Sequence, residues 1–301
     1  MPTKNEKLTA MMHGAFYGDA YSLGGHWVYD TQVLEEAKLD LNGCNNPLSS
    51  YHPTKQKGDF THYGDQMFWL LQSLVDEGQF SLVDFGDTWH KNMQEYDGYL
   101  DGASKHTMEK LAQDRNYFAC GSSSSDLSAV SRIFPLILKY HNTPDEMQEA
   151  IKLHTILTHM NKDLLQAAYF FSELASLLLN DTEITKAIDA SYKYYGDNIL
   201  SWTETAKSML ELDAKEAIEK LGASCGVNGA FSSTIYILLK YKDNFADALK
   251  ENMLAGGESS ARGMIIGALL GIVHAKKVID SGCIKQINND QEIEKLIKKL
   301  L

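Results

Sequence analysis

The 301-residue chain has only five prolines, four cysteines and three arginines, and each scarcity excludes something. Few prolines, together with almost no alternation of apolar and polar residues, argue against a strand-and-turn architecture. Cys44, Cys120, Cys225 and Cys283 are scattered without CxxC spacing, which excludes a zinc ribbon or a dense disulfide framework. They are expected to be isolated thiols of a reducing compartment. The longest apolar run, MIIGALLGIV (264–273), falls far short of the roughly 20 residues a membrane-spanning helix needs. Basic charge is also short, with 28 Lys and Arg against 40 Asp and Glu and a net charge of −12. That balance disfavours nucleic acid and anionic membranes as partners. The N-terminal apolar stretch is interrupted by His13 and Asp19 and shows no cleavage pattern, so a cytoplasmic protein is expected.

What the chain does have is apolar residues at three- and four-residue spacing. Met67, Leu70, Leu71, Leu74 and Val75 form one stripe of a helix over 67–78. TPDEMQEAIKLHTILTHM (143–160) opens with Thr143 as a cap, Pro144 at the first helical position and acids in the first turn. Further helices are expected over 161–179, 183–195, 199–211, 228–241, 244–254, 261–278 and 290–300. The expectation is one all-α domain, 1–301, of about a dozen helices. Irregular segments fall at 42–64 and at the serine-rich 120–126, lengths that often carry function in a compact domain.

Four stretches are more polar than a helical core requires. In HGAFYGDAYSLGGHWVYD (13–30), Asp19 lies among small and apolar residues, where a carboxylate needs hydrogen bonds or a cation. In KGDFTHYGDQMFWLL, Asp59, His62, Tyr63, Asp65 and Gln66 crowd a helix start, and capping alone accounts for one acid there but less easily for two. In CGSSSSDLSAVSRIFPLIL, a serine run precedes a helix and is either a solvated loop or a seat for an anion. Arg132 follows it, one of three arginines beside 25 lysines, and its planar fork suits an anion or carboxylate. Last comes AGGESSARGMIIGALLG (255–271). Gly263, Gly267 and Gly271 each cost roughly 1 kcal/mol against alanine in a helix. A close-packed central helix would explain them, with its polar start at the floor of a cleft. Glu258 and Arg262 share a face of that helix, and a surface pair there would contribute only about 0.3–0.5 kcal/mol.

These four stretches, in this order, resemble the ADP-ribosylglycohydrolase family, and within it the branch that includes the jellyfish J1 crystallins. GDAYSLGG, YGDQ, LSAVSRIFPL, LTHMN and GGESSARGMIIGALLG stand where the family places its signatures, from about residue 10 to 276. The resemblance implies an all-α domain that hydrolyses the glycosidic bond of ADP-ribose to a protein or small molecule with paired magnesium ions. This chain departs from the pattern where those ions are held. The Thr-Asp-Asp run becomes Tyr63, Gly64, Asp65, and the Asp-x-Asp-Thr run becomes Glu258, Ser259, Ser260, Ala261. The N-terminal family glutamate falls on His26 without a gap or on Asp30 with one.

Asp65 and Glu258, helped by Ser260, would then hold one magnesium ion (Mg2+) weakly, and a binuclear site is not expected. The resemblance also implies Asp65 and Glu258 for activating water, with Arg262 expected to supply fixed positive charge in place of metal. Asp19, His26, His62 and Tyr63 would line the ligand, and Ser123, Ser124 and Ser125 would cradle the diphosphate. His159 would contact the ligand and Arg132 would brace the cleft. Three outcomes stay open: a hydrolase of an ADP-ribosyl compound, a non-catalytic protein of the same fold, and a metal-independent hydrolase of an altered substrate.

Overall fold

The computed structural model describes residues 1–301, which fold into helices joined by irregular segments without a single extended sheet. The first half runs through α1 (Lys4–Ser22), α2 (Thr31–Glu36), α3 (His62–Glu77), α4 (Leu82–Gln94), α5 (Gly102–Gln113), α6 (Ser128–Ser131) and α7 (Phe134–Tyr140). The second half holds α8 (Pro144–Thr158), α9 (Lys162–Leu179), α10 (Ile184–Ser191), α11 (Asp197–Ser208) and α12 (Ala214–Leu221). It closes with α13 (Val227–Lys240), α14 (Phe245–Leu254), α15 (Ser259–Val273), α16 (Ala275–Ser281) and α17 (Asp290–Leu300). No helix is long and apolar enough to cross a membrane.

Helices α1 and α15 are buried nearly all round, which marks them as the centre rather than the surface of the bundle. The glycines explain how they fit. A Cβ at Gly14 would collide with the Gly267 carbonyl, one at Gly18 with that of Gly263, and one at Gly271 with that of Ala10. The two helices therefore run antiparallel with backbone against backbone. The chain accepts the helical cost of glycine because no side chain fits between them. Around this pair, α9, α13 and α14 pack on α15, while α3, α7 and α16 pack on α1. One connected core of 80 buried residues results.

The remaining helices follow their apolar stripes. Met67, Leu70, Leu71 and Leu74 of α3 are buried and Val75 partly so. Several expected boundaries move. The helix expected over 261–278 is two, because the backbone leaves helical geometry at His274, whose Nε2 lies 2.7 Å from the Lys242 carbonyl oxygen. The segment 183–195 shortens to α10 plus a 3-10 turn at Tyr192–Tyr194, ended by Gly196 at φ +93°. The chain re-enters a helix at Asp197 rather than at 199. Helix α3 begins at His62, so the irregular segment ends at Thr61 instead of 64. Thr143 occupies the cap position of α8 without a side-chain capping bond. All four cysteines are free, with Cys225 the one that is not fully buried.

If the α1–α15 contact is backbone on backbone, Gly267→Ala should lower the free energy of unfolding in urea by about 3 kcal/mol or more. Gly102→Ala, where a Cβ meets open space, should stay within about 0.5 kcal/mol of the parent. Equal small effects at both positions would contradict the contact.

Candidate functional site

The antiparallel register sets the C-terminal end of α1 beside the N-terminal end of α15, and the polar groups collect there. Asp19, fully buried, accepts from the Thr61 amide (2.8 Å) and the Thr61 hydroxyl (2.7 Å). Thr61 in turn caps α3 by accepting from the Tyr63 amide at 3.2 Å. Gly64 is required in this first turn, because a Cβ would strike the Asp19 carboxylate. Burial pushes the Asp19 carboxyl up to about 6, against the opposing pull of the Thr61 bonds. Asp19 is thus a clamp between α1 and α3.

In the same first turn of α3, Asp65 Oδ2 lies 2.5 Å from Lys55 Nζ and accepts from the Tyr96 hydroxyl at 2.5 Å. Burial raises the Asp65 carboxyl and Lys55 pulls it the other way. His62 turns inward instead, with Nε2 3.3 Å from Asp101 Oδ2. Asp101 also caps α5 through the Ser104 amide at 2.6 Å. Burial opposes ionisation of Asp101, but the His62 contact outweighs it and holds that carboxyl well below the usual range.

Beside His62 lies a group of packed rings, some stacked and some tilted or edge-on. Trp27 packs on His26 (4.4 Å between centroids), His52 (5.3 Å), His62 (5.5 Å) and Tyr99 (4.7 Å), and His62 packs on Tyr63 at 4.0 Å. Trp27 sits at φ +59°, a conformation that costs a bulky residue about 1–3 kcal/mol. Two bonds hold it there, from the Trp27 amide to the Gly257 carbonyl and from the Gly257 amide to the Val28 carbonyl, both 2.8 Å.

Gly257, at φ +68°, delivers the chain to Glu258, the N-cap of α15. Glu258 Oε1 accepts from the Ala261 amide at 2.9 Å, while Oε2 is buried without a partner. The Ser260 amide donates to His26 Nδ1 at 3.3 Å, which places the proton of neutral His26 on Nε2. His26 Nε2, Tyr63 Oη and Ser260 Oγ are likewise buried without partners. Burial, reinforced by the charge of Asp126, raises the Glu258 carboxyl to about 7 despite the charge of Arg262. Burial also holds His26 well below its ordinary value, so it is neutral.

Arg262 is fully buried, but its fork does not reach either expected acid. Nε donates to Asn252 Oδ1 (2.9 Å) and Nη2 to the Gly256 carbonyl (2.7 Å). Arg262, expected to supply fixed positive charge in place of metal, is buried and its charge opposes the rise of Glu258, but it makes no ion pair with either acid, and at Asp65 the cation is Lys55, because the irregular segment folds back over α3. Arg132 is a brace, donating to Gln66 Oε1 and to Thr158 Oγ1 (2.9 Å), with Trp89 Nε1 donating to the same glutamine oxygen at 2.8 Å. His159 Nδ1 lies 2.9 Å from Thr158 Oγ1, and burial lowers this imidazole to about 3.

The serine loop is folded on itself rather than laid open as a diphosphate cradle. The Ser122 amide donates to the Thr158 carbonyl (2.9 Å), the Ser124 amide to Ser122 Oγ (3.2 Å) and the Asp126 amide to Ser124 Oγ (3.2 Å). Ser123 and Ser125 are exposed. Three isolated bridges (Val28 with Gly257, Ser122 with His159, Asp126 with Gly226) tie these loops together.

The donor set does not fit magnesium, which needs six near-octahedral oxygens. Both Asp19 oxygens are held by Thr61, Asp65 is neutralised by Lys55, and no three His, Cys, Asp or Glu side chains converge on one point. Of the expected ligand set, Asp65 is thus already held by Lys55, while Glu258 Oε2 and Ser260 Oγ have no protein partner. Residues outside the expected set complete the site. Asp126, buried and accepting from the Ser128 amide at 2.9 Å, lies close enough to raise Glu258. Trp27 and Asp126 stood inside stretches already marked as polar. Lys55, His52, Tyr96, Tyr99 and Asp101 come from connecting segments without a motif, and the tyrosine- and acid-rich EYDGYLD (95–101) was the available signal.

A family model described as ADP-ribosylglycohydrolase matches residues 1–301. Crystallin J1A of Tripedalia cystophora is 21% identical, covering 98% of this chain and 96% of its own length. Crystallin J1B of the same animal is 20% identical, over 96% and 94%. A solved structure titled ADP-ribosylglycohydrolase-related protein complex superposes with a TM-score of 0.74 at 16% identity, covering 100% of this chain and 98% of that one, so the fold is shared.

Glu258 yields a pH prediction. Its raised carboxyl makes the folded state hold a proton that the unfolded chain releases between pH 4.5 and about 7. Its contribution is therefore present below pH 4.5 and lost as pH rises to about 7, a difference on the order of 3 kcal/mol. Glu258→Gln keeps the cap acceptor and lacks the titration. Its melting temperature relative to the parent should climb across that window and level off above it. A difference independent of pH would show that Glu258 ionises normally.

Proposed function

The chain belongs to the ADP-ribosylglycohydrolase family, and we propose that it hydrolyses an N- or O-glycosidic bond of an ADP-ribosyl or related nucleotide-sugar compound without paired magnesium ions. One observation carries this reading. Glu258 Oε2, Tyr63 Oη, His26 Nε2 and Ser260 Oγ are each buried with no protein partner, and His26 adjoins the other three residues, its ring 5.7 Å from that of Tyr63 and its Nδ1 3.6 Å from Glu258 Oε1 and 3.3 Å from the Ser260 amide. Leaving a buried polar group unpaired costs about 1–3 kcal/mol, so a cluster of four suits a polar ligand with its own donors and acceptors.

Glycoside hydrolysis needs an acid for the departing group and a base for water. A carboxyl raised to about 7 is half protonated at neutral pH, which suits Glu258 to donate to the leaving oxygen or nitrogen. Asp126, held by the Ser128 amide, is the carboxylate offered as the acceptor of the water proton. The glycosidic bond breaks, the water oxygen joins the sugar carbon, and the leaving group departs with the Glu258 proton. Asp65 is not offered as the base, since Lys55 neutralises it. Neutral His26 and the Tyr63 hydroxyl orient the ligand.

A second reading, a non-catalytic binding or structural protein, is favoured by the rings of Trp27, His52 and Tyr99 packed against His26 and His62. The likeness to two crystallins runs in the same direction.

ADP-ribosylated arginine, followed by chromatography of the products, separates the two. Hydrolysis should persist in EDTA and fall by about 10²–10⁴-fold in Glu258→Gln. Absence of turnover, together with no thermal stabilisation by ADP-ribose where ligand at about 100 times its dissociation constant would add about 2.7 kcal/mol, would establish the second reading.

A further inference from the structure

The first turn of α3 carries a carboxylate whose partner is a lysine from the loop that leads into the helix. Asp65 and Lys55 are both largely buried, at 18% and 12% side-chain exposure. Lys55 Nζ and Tyr96 Oη meet the same carboxylate oxygen, each at 2.5 Å, and the ammonium also lies 5.4 Å from the Tyr96 ring centroid. The loop is not free to withdraw. Its backbone is fixed by Lys55 amide to His52 carbonyl (3.2 Å), Gln56 amide to Asp59 Oδ2 (2.8 Å) and Lys57 amide to Asn46 Oδ1 (2.8 Å). His52 is seated among the rings, and Thr61 is held by Asp19. Lys55 therefore hangs from a segment anchored on both sides of it.

The charge around it calls for a cation. Asp19 is fully buried beneath the same turn, and the Asp65 charge is near enough to raise it. Two buried acids without a counter-charge would be strongly unfavourable, and a fixed ammonium removes that cost without recruiting an ion from solution. A divalent cation at Asp65 would have to displace Lys55 from the oxygen it already holds.

We propose that Lys55 is a built-in cation that takes the place of a divalent metal ion at Asp65, so that the α3 carboxylate anchors its own loop instead of coordinating metal. The role is independent of the hydrolytic reading, because unfolding and not turnover reports it. Lys55 is a positioning residue here and touches no reacting atom.

The test is thermal unfolding of the full chain at mildly alkaline pH, in EDTA and in millimolar manganese chloride. The parent should melt at the same temperature in both. Lys55→Met should melt several degrees lower in EDTA and recover most of that loss in manganese, while Lys55→Arg should behave as the parent does. A parent stabilised by manganese through Asp65, shown by loss of that response in Asp65→Asn, would overturn the proposal. So would a Lys55→Met variant that is unaffected in EDTA, or one that manganese does not restore. If Lys55→Met does not fold, the double variant Lys55→Met with Asp65→Asn should fold, since it removes both charges. Failure of the double variant as well would overturn the proposal.

Discussion

The carbonyl oxygens of Ala10, Gly14 and Gly18 lie against the backbone of α15 at Gly271, Gly267 and Gly263, and the site inherits its geometry from that contact. Antiparallel helices in a single register leave no freedom in how Asp19, near the end of α1, faces the start of α15. The same register lets Ser259 Oγ donate to the Ser22 carbonyl at 3.3 Å, and Asn252 of α14 donates to the Ser259 carbonyl at 2.8 Å. A methyl group between the helices would push them apart and take Glu258 away from His26. The glycines are thus conformationally costly within their own helix and necessary between helices.

A protein without sheets still uses strand-like pairing where its helices stop. Each of the three isolated bridges joins polar loops that are remote in sequence, and each ends beside a residue of the site: Glu258 after Gly257, His159 itself, and Asp126 itself. Helices supply rigid bodies, but their ends leave amides and carbonyls unpaired. Linking those ends by backbone bonds satisfies the groups and fixes the side chains next to them. Trp27 shows the force of this arrangement, since two such bonds hold a bulky residue at positive φ.

Charge burial decides the chemistry left available. Asp19, Asp65, Asp126 and Glu258 are all raised by burial, yet each has a different remedy. Asp19 has Thr61, Asp65 has Lys55, and Asp126 has the Ser128 amide. Glu258 alone keeps an unpartnered oxygen in a neighbourhood of other unpartnered polar atoms. A carboxyl near neutrality in such a place is suited to proton transfer, whereas the neutralised Asp65 is suited to holding a loop.

Much of the fold was legible in the residues. The three- and four-residue apolar spacing, the lack of alternation and the glycine ridge of 263, 267 and 271 sufficed for an all-α bundle with a central α15. Helical period and close packing are local or pairwise properties of adjacent turns, so they are written in short stretches. The polar stretches that meet in the site were legible as stretches too, through Asp19, His62, Asp126 and Glu258. The pairing of their charges was not. Arg262 stands four residues from Glu258, yet its fork goes to Asn252 and Gly256. Asp65 is met instead by a lysine from an unpatterned loop. What the amino-acid sequence determined by itself was which helices form and which of them must touch. Only the tertiary structure decided which cation meets which buried acid, because that choice depends on where a loop returns over a helix.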